Sequence, residues 1–398
     1  MEFDNITRKE ALERLYAHWV PAVKSTVVSI DEAVGFICSQ DILSANTQPV
    51  VRASLMDGVA VPSALFRDGN PDTASFREYR DYVRADTGDD FDDAYDSVIK
   101  IEDITFLDGG GFVLPDDFKV IAGMNIEPSG SSLAAGDFLF AKGWKIRPID
   151  IATLVRGGLT SVAVVAPPHV CFIPTGSELI PAGTTPARGQ QIDCNSSLAR
   201  HMLTKMGATV TCLPIVKDHM EELSSALDTA LAFADIVIIN GGSSKGKEDF
   251  NTRLLRERGE LLNHGVAAAP GRPLALAVVA GKPVINVPGP MVACCYAFDW
   301  CLRPLIARAL GINPSQHPVV LAQLTKPITA RAGMEFWTRV EVRKVAGKYE
   351  AEPLALNRGN GLYRIGASSG QFITPLEGGF FPAGSMVEIE LLCDPAFL

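Results

Sequence analysis

Apolar residues recur at helical spacing in some segments of this chain and run continuously in others, and the order of the two sketches its layout. Leu12, Leu15 and Trp19 share one face of a helix predicted over residues 7 to 20, with Thr7 and Glu10 spaced as a capping box and Pro21 as a stop. Ser29 and Glu32 repeat the capping spacing before a shorter helix. From about 46 to 142 the texture becomes short β-rich pieces with turn signals (MDG, DGN, TGDD, DGGG) and an acidic patch at 86 to 96, read as an inserted, mostly β domain. Pro148 and Asp150 then open a helix through Leu154 that leads into the strand SVAVV.

From 166 to about 312 strand and helix alternate. Strands are predicted at 169 to 173, at TVTCLPI and at 235 to 239; helices run from Asn195 to near Gly207, along the Met220, Leu223, Leu227, Leu231 register, and from about 249. Such alternation indicates a doubly wound sheet with right-handed crossovers. After Pro314 come short strands separated by glycine turns, predicting a closing β-barrel or sandwich. The chain therefore reads as an α/β multidomain protein: helical at 1–45 and 143–165, β-rich at 46–142, α/β at 166–312 and β again at 313–398.

Composition removes several function classes. With 398 residues, 47% of them hydrophobic, the chain can bury roughly two to four cores. A net charge of -10 without a Lys/Arg run argues against nucleic-acid backbone binding. The charged N-terminus and the shortness of apolar runs such as LALAVVA predict a cytoplasmic chain with no membrane partner. Eight cysteines include no CxxC pair, so neither a disulfide framework nor a zinc site is expected; Cys294, Cys295 and Cys301 are assigned to helix packing. The six histidines are scattered and read as structural or solvated.

Three apolar runs end in glycine-bearing loops: HVCFI into PTGSEL (174–179), ADIVIIN into GGSSKGKED (241–249), and KPVINV into PGPMVA (288–293). Ligands of open parallel sheets sit beyond the carboxyl ends of the strands, so Thr175, Ser177, Glu178, Ser243, Ser244 and Asp249 are expected around one crevice for a polar, phosphorylated ligand. GGSSKGK satisfies seven positions of a P-loop, but Glu248 stands where Ser or Thr must hold magnesium. What survives is an anion site of backbone N–H groups with Lys245 and Lys247, or a plain strand-to-helix turn with solvated lysines; the two companion loops favour the former. Glu178 can ligate a hard cation, or with Ser177 cap a following helix, and Asp57 in LMDGVA can simply begin an Asp-Gly turn.

In this order the loops resemble those of the MoeA-type molybdopterin molybdenumtransferases, which include the E domain of gephyrin. MDGVA (56–60) is similar to MDGYA, PTGSEL to STGDEL, IDCNSSL (192–198) to the YDSNS segment, GGSSKGKED to GGVSVGDYD, APGRP (269–273) to KPGKP, and VPGPMVA (287–293) to LPGNPVA. The resemblance implies four domains: an elongated helical connector, the inserted β domain, a MoaB/MogA-like molybdopterin-binding α/β domain and a C-terminal β-barrel. It implies a homodimer in which Asp57 of one chain approaches Glu178 of its partner, and a molybdopterin adenylyltransferase as upstream supplier. The implied reaction takes adenylylated molybdopterin and molybdate, with Mg2+, to AMP and metallated dithiolene. Carried over by position, Asp57, Glu178 and Asp249 are the acidic catalytic groups, with Glu178 and Asp249 on the metal. Thr175, Gly176, Ser177, Asp193, Asn195, Gly241, Gly242, Ser243, Ser244, Lys245, Gly246, Arg272, Pro273, Pro288 and Gly289 contact the pterin substrate.

Some positions depart from the pattern. Gly130, Ser131 and Ser132 replace GED, Lys247 stands where Asp or Glu is usual, Pro290 replaces the Asn of PGNP, and Ala269 and Arg272 replace the lysines of KPGKP. A less acidic cleft favours an oxyanion and lowers the capacity for magnesium. A non-catalytic molybdopterin or cofactor carrier is therefore the second reading, and a P-loop hydrolase, opposed by Glu248, the third.

Overall fold

Residues 3–241, 250–354 and 366–397 are described by the computed structural model. The chain forms two compact units, one of residues 1–23 with 166–398 and the other of residues 24–165.

In the first unit, helix α1 (Arg8–His18) starts where the Thr7 hydroxyl accepts from the Glu10 N–H at 3.1 Å. Glu10 does not return to the cap but accepts from Arg14 at 2.8 Å, so only half of the predicted capping box forms. Ala11 and Leu15 are buried, and Arg8 binds Glu335 through two nitrogens at 2.5 and 3.1 Å, which ties α1 to the C-terminal strands.

The α/β core consists of strands β1 (His169–Pro174), β2 (Thr209–Cys212), β3 (Ile236–Asn240), β4 (Glu260–His264), β5 (Ala275–Val279) and β6 (Lys282–Val287), in the order 2-1-3-6-5-4. The neighbours from β2 to β6 run parallel, and β3 is buried along its whole length, as a strand covered on both faces must be. Helices α2 (Asn195–Lys205), α3 (Met220–Phe233) and α4 (Phe250–Arg258) connect them. Leu223 and Leu227 of α3 pack with Ile173, Val237 and Ile239, with Met220 and Leu231 at the margin, as the heptad-like spacing predicted. The alternation stops after α4. Ala280 and Gly281 both take positive φ (51° and 75°), making a tight two-residue turn, so β5 runs antiparallel to β6 where a crossover was expected.

Beyond β6, helix α5 (Met291–Ala297), a π-helical turn (Phe298–Leu302) and helix α6 (Arg303–Ala309) lead to the last strands. These are β7 (Val319–Leu324), β8 (Glu335–Val345), β9 (Lys348–Pro353), β10 (Gly370–Ile373) and β11 (Met386–Leu391). Each pairs with two others, in the ring β8-β9-β7-β11-β10-β8, which closes a five-stranded barrel around Ala322, Val340, Val342, Ala351 and Ile389. Cys294 and Cys301 are fully buried, whereas Cys295 is only partly so.

In the second unit, Ser25–Ser29 pairs antiparallel with Ser161–Val165, and Gly58–Val61 lies between Val83–Ala85 and Ser97–Lys100. Its core joins Val59, Val61, Phe66, Phe76, Tyr82, Ile99 and Phe112. The expected helix after Ser29 is a single 3-10 turn, Ile30–Glu32. Ser29 donates to the Glu32 carboxylate at 3.0 Å and caps no backbone group, since so short a turn has no helical N–H ladder to satisfy. The helix Asp150–Arg156 does form; its Asp150 carboxylate, buried, accepts from the Trp144 indole at 2.8 Å and the Arg147 N–H at 2.9 Å.

Candidate functional site

Parallel pairing sets Pro174 beside Asn240 and Asn240 beside Val287, so β1, β3 and β6 end at one level and their three loops leave side by side. Thr175 fastens the first loop to the second: its N–H and hydroxyl both donate to the Asn240 carbonyl, at 2.9 and 3.0 Å. The Gly241 N–H donates to the Val287 carbonyl at 3.0 Å. A Cβ on Gly241 (φ 119°) would stand 2.5 Å from the Thr175 carbonyl, so glycine there lets these backbones approach.

Beneath the loops lies a group of buried amides. Asn195, the first residue of α2, donates to the Asn240 side chain at 2.9 Å and to the Gly289 carbonyl at 2.7 Å. Asn240 donates to the Pro288 carbonyl at 2.9 Å, and Asn251 to the Gly241 carbonyl at 2.7 Å, with the Asn251 and Asn286 amides 3.1 Å apart. Of these only Asn195 was among the expected site residues. Asn240 and Asn286 were visible as polar residues inside the apolar runs IVIIN and KPVINV. Neutral amides here fix the loop bases without adding charge.

The PTGSEL loop does not cap a helix. Strand Leu179–Ile180 follows and pairs with Gln191–Ile192, so the capping alternative for Ser177 and Glu178 is overturned. Ser177 instead exchanges bonds with Asp218, its N–H donating to the carboxylate at 3.1 Å and its hydroxyl accepting from the Asp218 N–H at 3.2 Å. Glu178 is exposed, and its carboxylate lies where a Gly176 side chain would begin, 2.9 Å from that Cβ position. Asp193 accepts from the Ser196 N–H at 3.0 Å and from its hydroxyl, and thereby caps α2.

Because Ala275 opens β5 opposite Asn286, the loop carrying Arg272 and Pro273 lies along the same edge. Arg272 donates to Asn5 at 2.9 Å and lies over the Phe3 ring at 5.2 Å, held by the N-terminal segment. Gly242, Ser243, Ser244, Lys245, Gly246 and Asp249 lie outside the described residues.

Asp57 belongs to the other unit. Its exposed carboxylate accepts from the Thr87 N–H at 2.7 Å and hydroxyl at 2.8 Å, bonds that hold its pKa below the ordinary carboxylate value. The glycine after it is dictated by packing, since a Cβ on Gly58 would meet the Ile99 carbonyl at 1.9 Å.

This glycine-rich edge is held from below by buried amides, and among the described residues the exposed Glu178 carboxylate beside it has no hydrogen-bond partner. Two family models match the chain: one described as "MoeA N-terminal region (domain I and II)" over residues 6–158, and one as "probable molybdopterin binding domain" over 171–308. The chain belongs to the MoeA family. Relatives named molybdopterin molybdenumtransferase include one from Haemophilus influenzae, 26% identical over 97% of this chain and 98% of its own. Another, from Staphylococcus epidermidis, is 24% identical over 97% of this chain and 95% of its own. The fold is shared with a Pyrococcus horikoshii protein titled a molybdopterin biosynthesis MoeA protein, at TM-score 0.80 and 24% identity, covering 98% of this chain and 100% of the other. MoeA membership places the chain in molybdenum cofactor biosynthesis, in a family of transferases. No helix among the described residues is long and apolar enough to cross a membrane.

Proposed function

We propose that this chain inserts molybdate into adenylylated molybdopterin and releases AMP with the help of Mg2+. The observation that carries the reading is the juxtaposition of three parallel strand ends, stapled by Asn195 and Asn240, with an exposed carboxylate, Glu178, on the first loop. The glycine loops would cradle the pterin phosphate through N–H groups, and Arg272 would add a planar guanidinium at the rim.

Among the described residues the Glu178 carboxylate has no hydrogen-bond or ion-pair partner, so its oxygens remain available to a hard cation, and Glu178 with Asp249 would hold Mg2+. Bound there, Mg2+ neutralises the anhydride against carboxylates that would otherwise repel it. The site is completed in a homodimer, where Asp57 from the partner copy faces the strand-end loops. Thr87 orients that carboxylate through its N–H and hydroxyl, a positioning role. A molybdopterin adenylyltransferase supplies the substrate.

The test is AMP release from adenylylated molybdopterin with and without molybdate and magnesium. Release that needs both supports insertion; tight binding without release identifies a carrier in place of an enzyme, a reading to which Ser131 and Ser132 in place of an acidic pair lend support.

A further inference from the structure

The residues ahead of α1 lie as a strap along the segment that leads to Arg272. Ile6 forms a parallel bridge with Val266, and the Ala267 N–H donates to the Ile6 carbonyl at 2.7 Å. The Asp4 N–H donates to the His264 carbonyl at 2.9 Å, and the Asp4 carboxylate accepts from the His264 N–H at 2.7 Å. Phe3 meets the His264 ring edge-on at 5.0 Å, over Gly265, where a Cβ would come within 2.6 Å of the Phe3 Cβ. The Arg272 loop is fastened to the same segment. The Val266 N–H donates to the Arg272 carbonyl at 2.8 Å, and Ala268 and Ala269 pair with Glu335 and Phe336 of β8. Its backbone is thus held from both sides, which leaves the Arg272 side chain as the adjustable part.

The strap holds that side chain as well. The Arg272 Nε donates to the Asn5 Oδ1 at 2.9 Å, and the guanidinium carbon lies 5.2 Å from the centre of the Phe3 ring. Both partners are neutral. Among the described residues no carboxylate forms an ion pair with Arg272, and its terminal nitrogens have no hydrogen-bond partner. Asp4, next to Asn5 in the chain, is engaged with the His264 backbone.

Two things follow for an anion. The positive charge of Arg272 is not cancelled, and with Nε spent on the strap the fork left over is the end-on one, whose two nitrogens match two oxygens of a single phosphate. An ammonium could not divide its work in this way, since one nitrogen would have to serve strap and ligand together. Asn5 has φ 49°, a left-handed conformation that asparagine and glycine adopt more readily than other residues.

We propose that Asn5, with Phe3 beside it, is a positioning residue for the phosphate of the substrate: it orients Arg272 for an end-on grasp while leaving its charge intact. The inference rests on the proposed function, in which Arg272 stands at the rim of the pterin crevice.

Isothermal titration calorimetry of the full chain with adenylylated molybdopterin, without molybdate, reads binding apart from turnover. Arg272→Ala is expected to weaken binding about tenfold or more, and Asn5→Gly, which removes the amide and suits the backbone, about three- to fivefold. Asn5→Asp keeps an acceptor oxygen but sets a negative charge against the guanidinium, and a loss of about tenfold is expected. In the Arg272→Ala background Asn5→Gly should cost nothing further, whereas a merely structural role would cost the same in both backgrounds. Wild-type affinity in Asn5→Gly or in Asn5→Asp, or equal losses in the two backgrounds, overturns the positioning role and leaves the proposed function standing. A wild type that takes up no pterin nucleotide overturns the proposed function, and the positioning role falls with it; so does an Arg272→Ala chain that binds as tightly as the wild type, which removes Arg272 from the site.

Discussion

The side chain of Asn195 donates to that of Asn240 at 2.9 Å, and through this buried bond the first turn of α2 holds the loop that leaves β3. Asn240 also donates to the Pro288 carbonyl, so Asn240→Leu strands an amide and a carbonyl where water does not reach. Chemical denaturation is expected to show a loss of about 3 kcal/mol, given ~1–3 kcal/mol for each buried group left unpaired. A loss below about 0.5 kcal/mol would show that the amides do not hold the loops.

A second consequence concerns the MDG turn. Gly58→Ala places a methyl 1.9 Å from the Ile99 carbonyl, in a central strand with a neighbour on each side. Either the strand pair opens or the substitution strains it, and a cost of about 1–3 kcal/mol is expected by denaturation. An unchanged midpoint would mean that this glycine answers to something other than strand packing.

Much of this was legible in the chain because strands buried on both faces must be apolar and because glycine must follow where backbones crowd. HVCFIP, IVIIN and KPVINV could be read as strands with a shared end for that reason. The amide group could not: Asn195 and Asn240 are 45 residues apart in sequence and Asn251 and Asn286 are 35 apart, and each pair meets only once the strands lie abreast. The partner of His317, a histidine read only as structural or solvated, was equally hidden: it is Asp299, 2.8 Å away and 18 residues apart in sequence. The turn at Ala280 and Gly281, which reverses β5, was hidden inside what looked like one apolar run with a break.

Glu178 separates catalysis from stability. Exposed and without a described side-chain partner, it can become Gln with a stability change within about 0.5 kcal/mol. AMP release is expected to fall on the order of 10²-fold, as when one charge-stabilising group leaves an active site. Full turnover in Glu178→Gln would remove the carboxylate from the mechanism.

Acid sensitivity is expected from Asp299. Burial alone would raise its carboxyl, but bonds from His317 and Arg303 outweigh it and bring the pKa from 3.8 down to about 2. A carboxyl depressed on folding contributes stability above its unfolded value and loses it as pH falls through the folded one, so the contribution of about 2 kcal/mol fades between pH ~4 and ~2. Denaturation midpoints of Asp299→Asn should fall less steeply than wild type across that window. Parallel slopes would place the acid sensitivity elsewhere.

The shared site is open to a direct measurement, AMP release by an equimolar mixture of Asp57→Asn and Glu178→Gln chains after subunit exchange. Each homodimer alone should be inactive. If Asp57 from one copy meets Glu178 from the other, half the dimers are mixed and each restores one intact site, so the mixture should recover about a quarter of wild-type activity. A mixture as inactive as its components would contradict a site built from two copies.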